Sequence, residues 1–258
     1  MNKGISFYWG FEQEPEKAMQ ILKEVGFNSV ITSTDEKYKS QNGSFKSQVR
    51  LIKKYDLKPS SLHGWYDRDK SKYLWIKGFN GYLIYRRLLK DVKKASKYGF
   101  TCVVMHLYGE PSEIGYKRLR KVLTFCEKVN VPLAIENIRS RKCLDAVFEN
   151  IKSDYLKFCL DVGHNNAFDK DFDYLSKYGD KLICLHLHDN MGEKDDHTLN
   201  KYGSINWKEL AKKFKQVNYR GDLDYEILMN VKNNETARDV AKEVLKQANE
   251  LEEMIREA

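Results

Sequence analysis

A chain of 258 residues with 41% apolar and 32% charged residues is long enough to bury a large core and too apolar to be disordered. No apolar run approaches the ~20 residues that span a bilayer, and Met1-Asn2-Lys3-Gly4 leads directly into strand-like sequence without a secretory apolar region; the expectation is a cytoplasmic protein without a membrane partner. The net charge of +8 would suit DNA or a sugar phosphate, but most lysines fall on predicted helix faces as a solvated coat, so charge selects no substrate.

Lys3 to Trp9 and Phe27 to Ser33 read as strands around a helix from Glu14 to Gly26, in which Ala18, Ile21, Leu22 and Val25 recur at helical spacing. Ser44 to Asp56 is a second helix, and Leu57 to Trp65 a third strand ending near His63. Tyr66 to Phe79, rich in Asp, Lys and aromatics, reads as a long loop over the functional face, followed by a helix from Gly81 to Tyr98. Phe100 to Tyr108, Val131 to Ile138 and Leu156 to His164 are apolar runs that end in His106, Glu136 and the pair Asp161 and His164; helices from Pro111 to Val129 and Arg141 to Lys152 separate them. A helix from Asp171 to Tyr178 precedes a strand from Lys181 to His188, Trp207 to Val217 is helical, and Asp222 to Leu228 is the last strand. Asn234 to Glu257 closes the chain as a long charged helix.

Eight strands alternating with helices at about 30-residue spacing, with no Pro/Gly/Ser-rich linker, predict an α/β fold: a single-domain (β/α)8 TIM barrel over residues 1–258. A doubly wound open sheet is disfavoured, because polar residues end nearly every strand rather than one switch point, and no GxGxxG or GxxxxGK[ST] phosphate loop is present. The five cysteines, Cys102, Cys126, Cys143, Cys159 and Cys184, form no CxxC pair and read as buried free thiols.

Strand exits converge at one face of such a barrel, which would gather His63, His106, Glu136, Asp161, His164, His186, Asp195, His197 and Glu226. Mixed imidazole and carboxylate donors suit a divalent ion, zinc, manganese, cobalt or magnesium, and the lack of thiolates argues against a closed structural zinc site. His188, two residues beyond His186, is expected to orient a ligand or to face away.

The segments Ile135-Glu136-Asn137, Leu160-Asp161-Val162-Gly163-His164, His186-Leu187-His188-Asp189-Asn190, Asp195-Asp196-His197 and Gly203-Ser204-Ile205-Asn206-Trp207, with Glu226 on the last strand, resemble those of the xylose-isomerase-like TIM-barrel superfamily. The resemblance runs through essentially the whole chain; it is specific for fold and metal site and unspecific for reaction. It implies a divalent-metal-dependent sugar or sugar-phosphate isomerase or epimerase with metal ligands Glu136, Asp161, His186 and Glu226. Such an enzyme works through a metal-stabilised enediolate, with Glu136 and Glu226 as the acid/base pair. His164 and His197 would contact substrate oxygens, Trp9 and Trp65 (with Tyr8 and Tyr66) would wall a sugar ring, and Lys201 or a lysine of the 66–79 segment would hold a phosphate.

The alternatives within the resemblance are a dehydratase and a family 2 apurinic endonuclease acting on DNA. The endonuclease would place further zinc ligands at His63, His106, His164, Asp195 and His197. Departures are visible on both sides: Gly64-Trp65-Tyr66 stands where those endonucleases usually have an Ala-Pro-Tyr-like segment, and His197 and Lys142 stand where ketose 3-epimerases usually have Arg and Glu.

Overall fold

The computed structural model describes residues 1–7, 14–35, 39–65, 67–228 and 235–258, with only the backbone at 40 and 41. Eight parallel strands, β1 (Lys3–Ser6), β2 (Ser29–Ser33), β3 (Lys58–His63), β4 (Cys102–Met105), β5 (Leu133–Glu136), β6 (Leu156–Asp161), β7 (Leu182–His186) and β8 (Leu223–Tyr225), are laddered from β7 back through β1 to β8. The ring closes where Leu187 bridges Tyr225: Leu187 donates its amide to Asp224 O at 2.8 Å and accepts from Glu226 N at 2.9 Å. This is the expected TIM barrel, with helices outside the sheet.

The pleat sorts side chains into two cores. One set of strand residues, with Val103, Met105, Leu133, Ile135, Phe158 and Leu160 among them, packs against the helices in the large outer core. The alternate set, Cys102, Val104, Ala134, Cys159 and Cys184, forms a separate cluster inside the ring. All five cysteines are buried and free, as the sequence suggests.

The strands stop earlier than their apolar runs. The run to His164 breaks at Asp161, whose carboxylate accepts the His164 amide at 2.6 Å and so caps a short helix, Val162–Phe168, that periodicity does not disclose. The segment expected as a loop after β3 contains a helical turn, Arg68–Ser71, capped by Asp67, and a 3-10 turn, Lys72–Trp75. The buried guanidinium of Arg118, on helix Glu113–Val129, anchors it by donating to the carbonyls of Leu74 at 2.6 Å and Ile76 at 2.7 Å. Trp75 lies over Gly115 of the same helix, where a Cβ would come 2.0 Å from its ring. These long-range anchors, rather than local propensity, turn a polar segment into an ordered wall above the barrel.

Inside the ring, Asp224 is fully buried: one carboxylate oxygen accepts from the Ser60 hydroxyl, and the other has no hydrogen-bond partner. Gly4 makes room for it, since a Cβ there would lie 1.9 Å from Oδ1. Burial pushes this carboxyl up to about 7. An acid raised in this way contributes stability that is present below the ordinary carboxylate range, near pH 4, and is lost as pH rises through 7. Asp224→Asn should therefore lose less stability than the parent between pH 5 and pH 8 in urea unfolding, by up to about 3 kcal/mol. Equal slopes in the two proteins would show that the carboxyl is already ionised.

Candidate active site

Five strands, β4 to β8, deliver an ionisable side chain by the same two-residue step of the pleat. His106 follows Val104, Glu136 follows Ala134, Asp161 follows Cys159, His186 follows Cys184 and Glu226 follows Asp224, so residues that fill the ring below lead to donors at its mouth. His63, the last residue of β3, joins them.

Glu136 is the centre of the cluster. Its side chain is 1% exposed, and its two carboxylate oxygens lie within ion-pair distance of four imidazoles: His63 at 3.6 Å, His106 at 3.1 Å, His164 at 3.2 Å and His186 at 3.2 Å. Burial acts to raise this carboxyl, but the His106 and His186 rings outweigh it and hold it well below the usual carboxylate range. The same pairing, against burial, carries His186 well above the ordinary histidine value through Glu226 and Glu136, and His164 likewise through Asp161 and Asp195. His106 goes the other way, because burial dominates.

A second group lies beside it. Asp195 accepts from His164 Nε2 at 3.1 Å and is 3.3 Å from His197 Nε2, which pushes the His197 ring up to about 9 against its burial. His197 holds a left-handed backbone, φ 50°, unfavourable for a residue with a Cβ. Its Nδ1 donates to Glu226 O at 2.7 Å and its carbonyl accepts from Leu228 N at 2.9 Å, which fixes that conformation. The 190s loop is thereby tied to the exit of β8.

The motif residues that are not candidate ligands have structural work. Asn137 donates to Asp161 O and accepts from Asp161 N, both at 2.8 Å, which locks the exits of β5 and β6 together. His188 is fully buried, reaches Asp161 Oδ1 at 3.0 Å and stacks on His197 with ring centroids 3.8 Å apart, so it orients a carboxylate of the site. Gly163 permits this, as a Cβ would fall 1.9 Å from the His188 ring. Asp189 gathers the amides of Asn190, Ser204 and Ile205 and the Trp207 indole, and Gly203 leaves the space its carboxylate needs.

The donor set suits a divalent ion. Glu136 Oε2 and both ring nitrogens of His186 are buried without a hydrogen bond of acceptable geometry, a costly arrangement that a Lewis acid would relieve. Asp161, His186 and Glu226 offer atoms within 4.8 Å of one another, as do His63 with Glu136 and His186, Glu136 with Asp161 and His164, and His164 with Asp195 and His197. Above them lies a cavity of about 590 Å³ lined by His63, His106, Glu136, His164, Asp195, His197 and Glu226. A second cavity of about 320 Å³ beside Phe7 and Thr32 shares His63, Asp195, His197 and Glu226.

All nine ionisable residues expected at strand exits thus converge. Trp65 and Lys201 do not line this cavity: Trp65 lies under the Arg87 guanidinium at 4.6 Å in a separate cleft with Thr34, and the Lys201 ammonium lies 3.6 Å from Glu235 on the turn Asn200–Tyr202. In both cases a nearby charge or ring outside the mouth captures the side chain. Trp9, Tyr8 and Tyr66 lie outside the described residues. The cavity adds Arg68, from the segment expected to lie over this face, and Tyr108, Arg139 and Phe168, close in sequence to His106, Glu136 and His164.

Residues 19–248 match the family model of the xylose isomerase-like TIM barrel. The chain belongs to that family. Among curated relatives, it is 31% identical over 122 residues to the uncharacterized protein y4fM of Sinorhizobium fredii, covering 45% of this chain and 39% of that one. It is also 31% identical over 123 residues to the uncharacterized protein MJ1614 of Methanocaldococcus jannaschii, covering 45% and 48%. The matched part is thus less than half the length of either relative. Among solved structures, a D-tagatose 3-epimerase-like protein superposes with a TM-score of 0.78 at 20% identity, over 100% of this chain and 99% of that one. The D-psicose 3-epimerase of Clostridium cellulolyticum H10, solved with D-tagatose, gives 0.77 at 12% identity over 97% and 99%. At such identities the likeness shows the shared barrel. Among the described residues no helix is long and apolar enough to cross a membrane.

Metal binding in this family member should compete with protons, because neighbouring carboxylates push His164 and His186 well above the ordinary histidine value. Zinc or manganese affinity, followed by calorimetry, should rise steeply from pH 6 to pH 8 with proton release, and His186→Ala should lose it. Affinity independent of pH would mean that the ion binds elsewhere.

Proposed function

We propose that the protein is a divalent-metal-dependent isomerase or epimerase of a sugar or sugar phosphate. The observation that carries this reading is the placement of two carboxylates about one imidazole at the base of the cavity: Glu136 lies 3.2 Å from His186 Nδ1, and Glu226 lies 3.6 Å from His186 Nε2. The fold neighbours named as D-tagatose 3-epimerase-like, D-psicose 3-epimerase and the 3-keto-D-glucoside 4-epimerase YcjR of E. coli support the sugar as substrate class.

Glu136, Asp161, His186 and Glu226 would hold the ion, which when bound to adjacent substrate oxygens supplies charge stabilisation and acidifies the C–H between them. The chain supplies the rest. Glu136 and Glu226 stand on strands separated around the ring, so one can take a proton from one face of the substrate carbon and the other can return it. His164, Asp195 and His197 all line the cavity wall, with Asp195 3.1 and 3.3 Å from the two Nε2 atoms, and a sugar's hydroxyls would meet this polar group. Asn137 and His188 keep Asp161 in place while this happens.

Glu136→Gln and Glu226→Gln keep an oxygen donor but cannot accept a proton, so each is expected to lower turnover by about 10²- to 10⁴-fold, with at least one variant retaining metal. Exchange of the substrate C–H in deuterated water is the direct readout; turnover without exchange or hydride migration would defeat the proton-transfer account.

The group His164, Asp195 and His197 favours one second reading, since it could hold a further ion beside the first, as an apurinic endonuclease needs. The isomerase reading requires a single tightly held ion, retained in His63→Ala and His106→Ala, and DNA binding that is lost between about 50 and 200 mM salt. Three zinc ions per chain with cleavage of abasic DNA would replace it.

A further inference from the structure

The mouth of the large cavity carries four basic side chains, Arg68, Lys72, Arg139 and Lys142, and they are not equivalent. The Lys72 ammonium lies 3.6 Å from Asp69, and Lys142 pairs with Glu110, both acids of the same rim. Among the described residues Arg68 and Arg139 have no carboxylate partner. The two lysine charges are compensated locally, and two guanidinium charges are left over.

One of the two, Arg139, is tied to the centre through an aromatic ring. Arg139 lies over the face of Phe168 at 4.5 Å, and Phe168 packs beside the His164 ring at 5.8 Å between centroids. Arg68 lines the same cavity as Tyr108, whose hydroxyl lies 3.4 Å from His106 Nδ1. Phe168 and Tyr108 also line the cavity. Two guanidinium forks without a carboxylate partner among the described residues thus line the cavity that holds the site histidines.

We propose that the substrate is a small sugar carrying a terminal phosphate monoester, which Arg68 and Arg139 hold at the mouth while its other end reaches the carboxylates and imidazoles below. This rests on the isomerase or epimerase reading and narrows it. Two guanidinium forks present more donors than one carboxylate accepts, whereas a phosphate dianion offers two charges and three strong acceptor oxygens. The cavity of about 590 Å³ is within the range of pockets that take small ligands. The phosphate would also bring binding energy from a part of the substrate that does not react.

The test is calorimetry on the metal-loaded full chain with matched ligands: pentuloses and hexuloses, the same sugars with a terminal phosphate, and the corresponding sugar acids. The expected result is at least a 100-fold tighter dissociation constant for the phosphorylated member of one pair. Arg68→Ala and Arg139→Ala should each cut that preference at least tenfold, and Arg139→Lys should recover part of it. Both arginines are exposed, and an unchanged thermal midpoint would confirm that the variants fold. Equal affinity for neutral and phosphorylated sugars, with proton exchange on the neutral one, would overturn the phosphate and leave the isomerase reading standing. Preference for a sugar acid would overturn it in favour of a carboxylate. Binding of none of these ligands, with cleavage of abasic DNA, would overturn both readings together.

Discussion

The structure depends on how the Glu136 carboxylate is kept charged where it is almost fully buried. A carboxylate with a 1% exposed side chain is costly to desolvate, and here four imidazoles from β3, the exits of β4 and β6, and β7 surround it. No helix or hairpin could assemble that ring of donors locally. Only a closed ring of parallel strands brings side chains this far apart in sequence to one axis. The buried charge is therefore also a constraint on the barrel: a slip of one residue in any contributing strand would turn its donor toward the outer core and leave the carboxylate undercompensated.

That constraint explains the layer beneath. The layer directly under the donors is made of Cys102, Val104, Ala134, Cys159 and Cys184, side chains small enough to share the interior of the ring. Larger residues of opposite parity, Phe158 and Leu160 among them, face the helices instead. The pleat thus separates a bulky core that carries stability from a slender one that supports chemistry. The buried acid Asp224 marks the boundary, with a polar group inside the small-residue layer that only Gly4 accommodates.

The barrel and its nine convergent ionisable residues were legible because both follow from short periods: apolar runs report strands, and an abrupt turn to His, Asp or Glu reports an exit. Strand ends were read too long, since the apolar run continues past the point where a capping carboxylate, Asp161, starts a helix. The ordered segment 67–75 was hidden, because Arg118 and Gly115, more than 30 residues away, are what fold it. Trp65 and Lys201 show the remaining limit: residue type suggests a sugar wall or a phosphate clamp, but Arg87 and Glu235 decide where those side chains go. The segment expected over the functional face does bring Arg68 to the cavity, but nothing in its local sequence singles this arginine out from the lysines beside it.

The closing bridge between Leu187 and Tyr225 bears on how the molecule is made. Glu226, adjacent to that bridge, is the last of the candidate ligands in chain order, and its carbonyl also holds His197 in its left-handed conformation. A nascent chain emerging from the ribosome can fold its early β/α units while later ones are still being made. It cannot complete the cluster: until β8 docks, His186 lacks one of its carboxylate neighbours and the 190s loop lacks its anchor. The cluster is therefore completed in one step, only once β8 has been made, and an incomplete barrel carries buried histidines and carboxylates whose charges are not yet balanced.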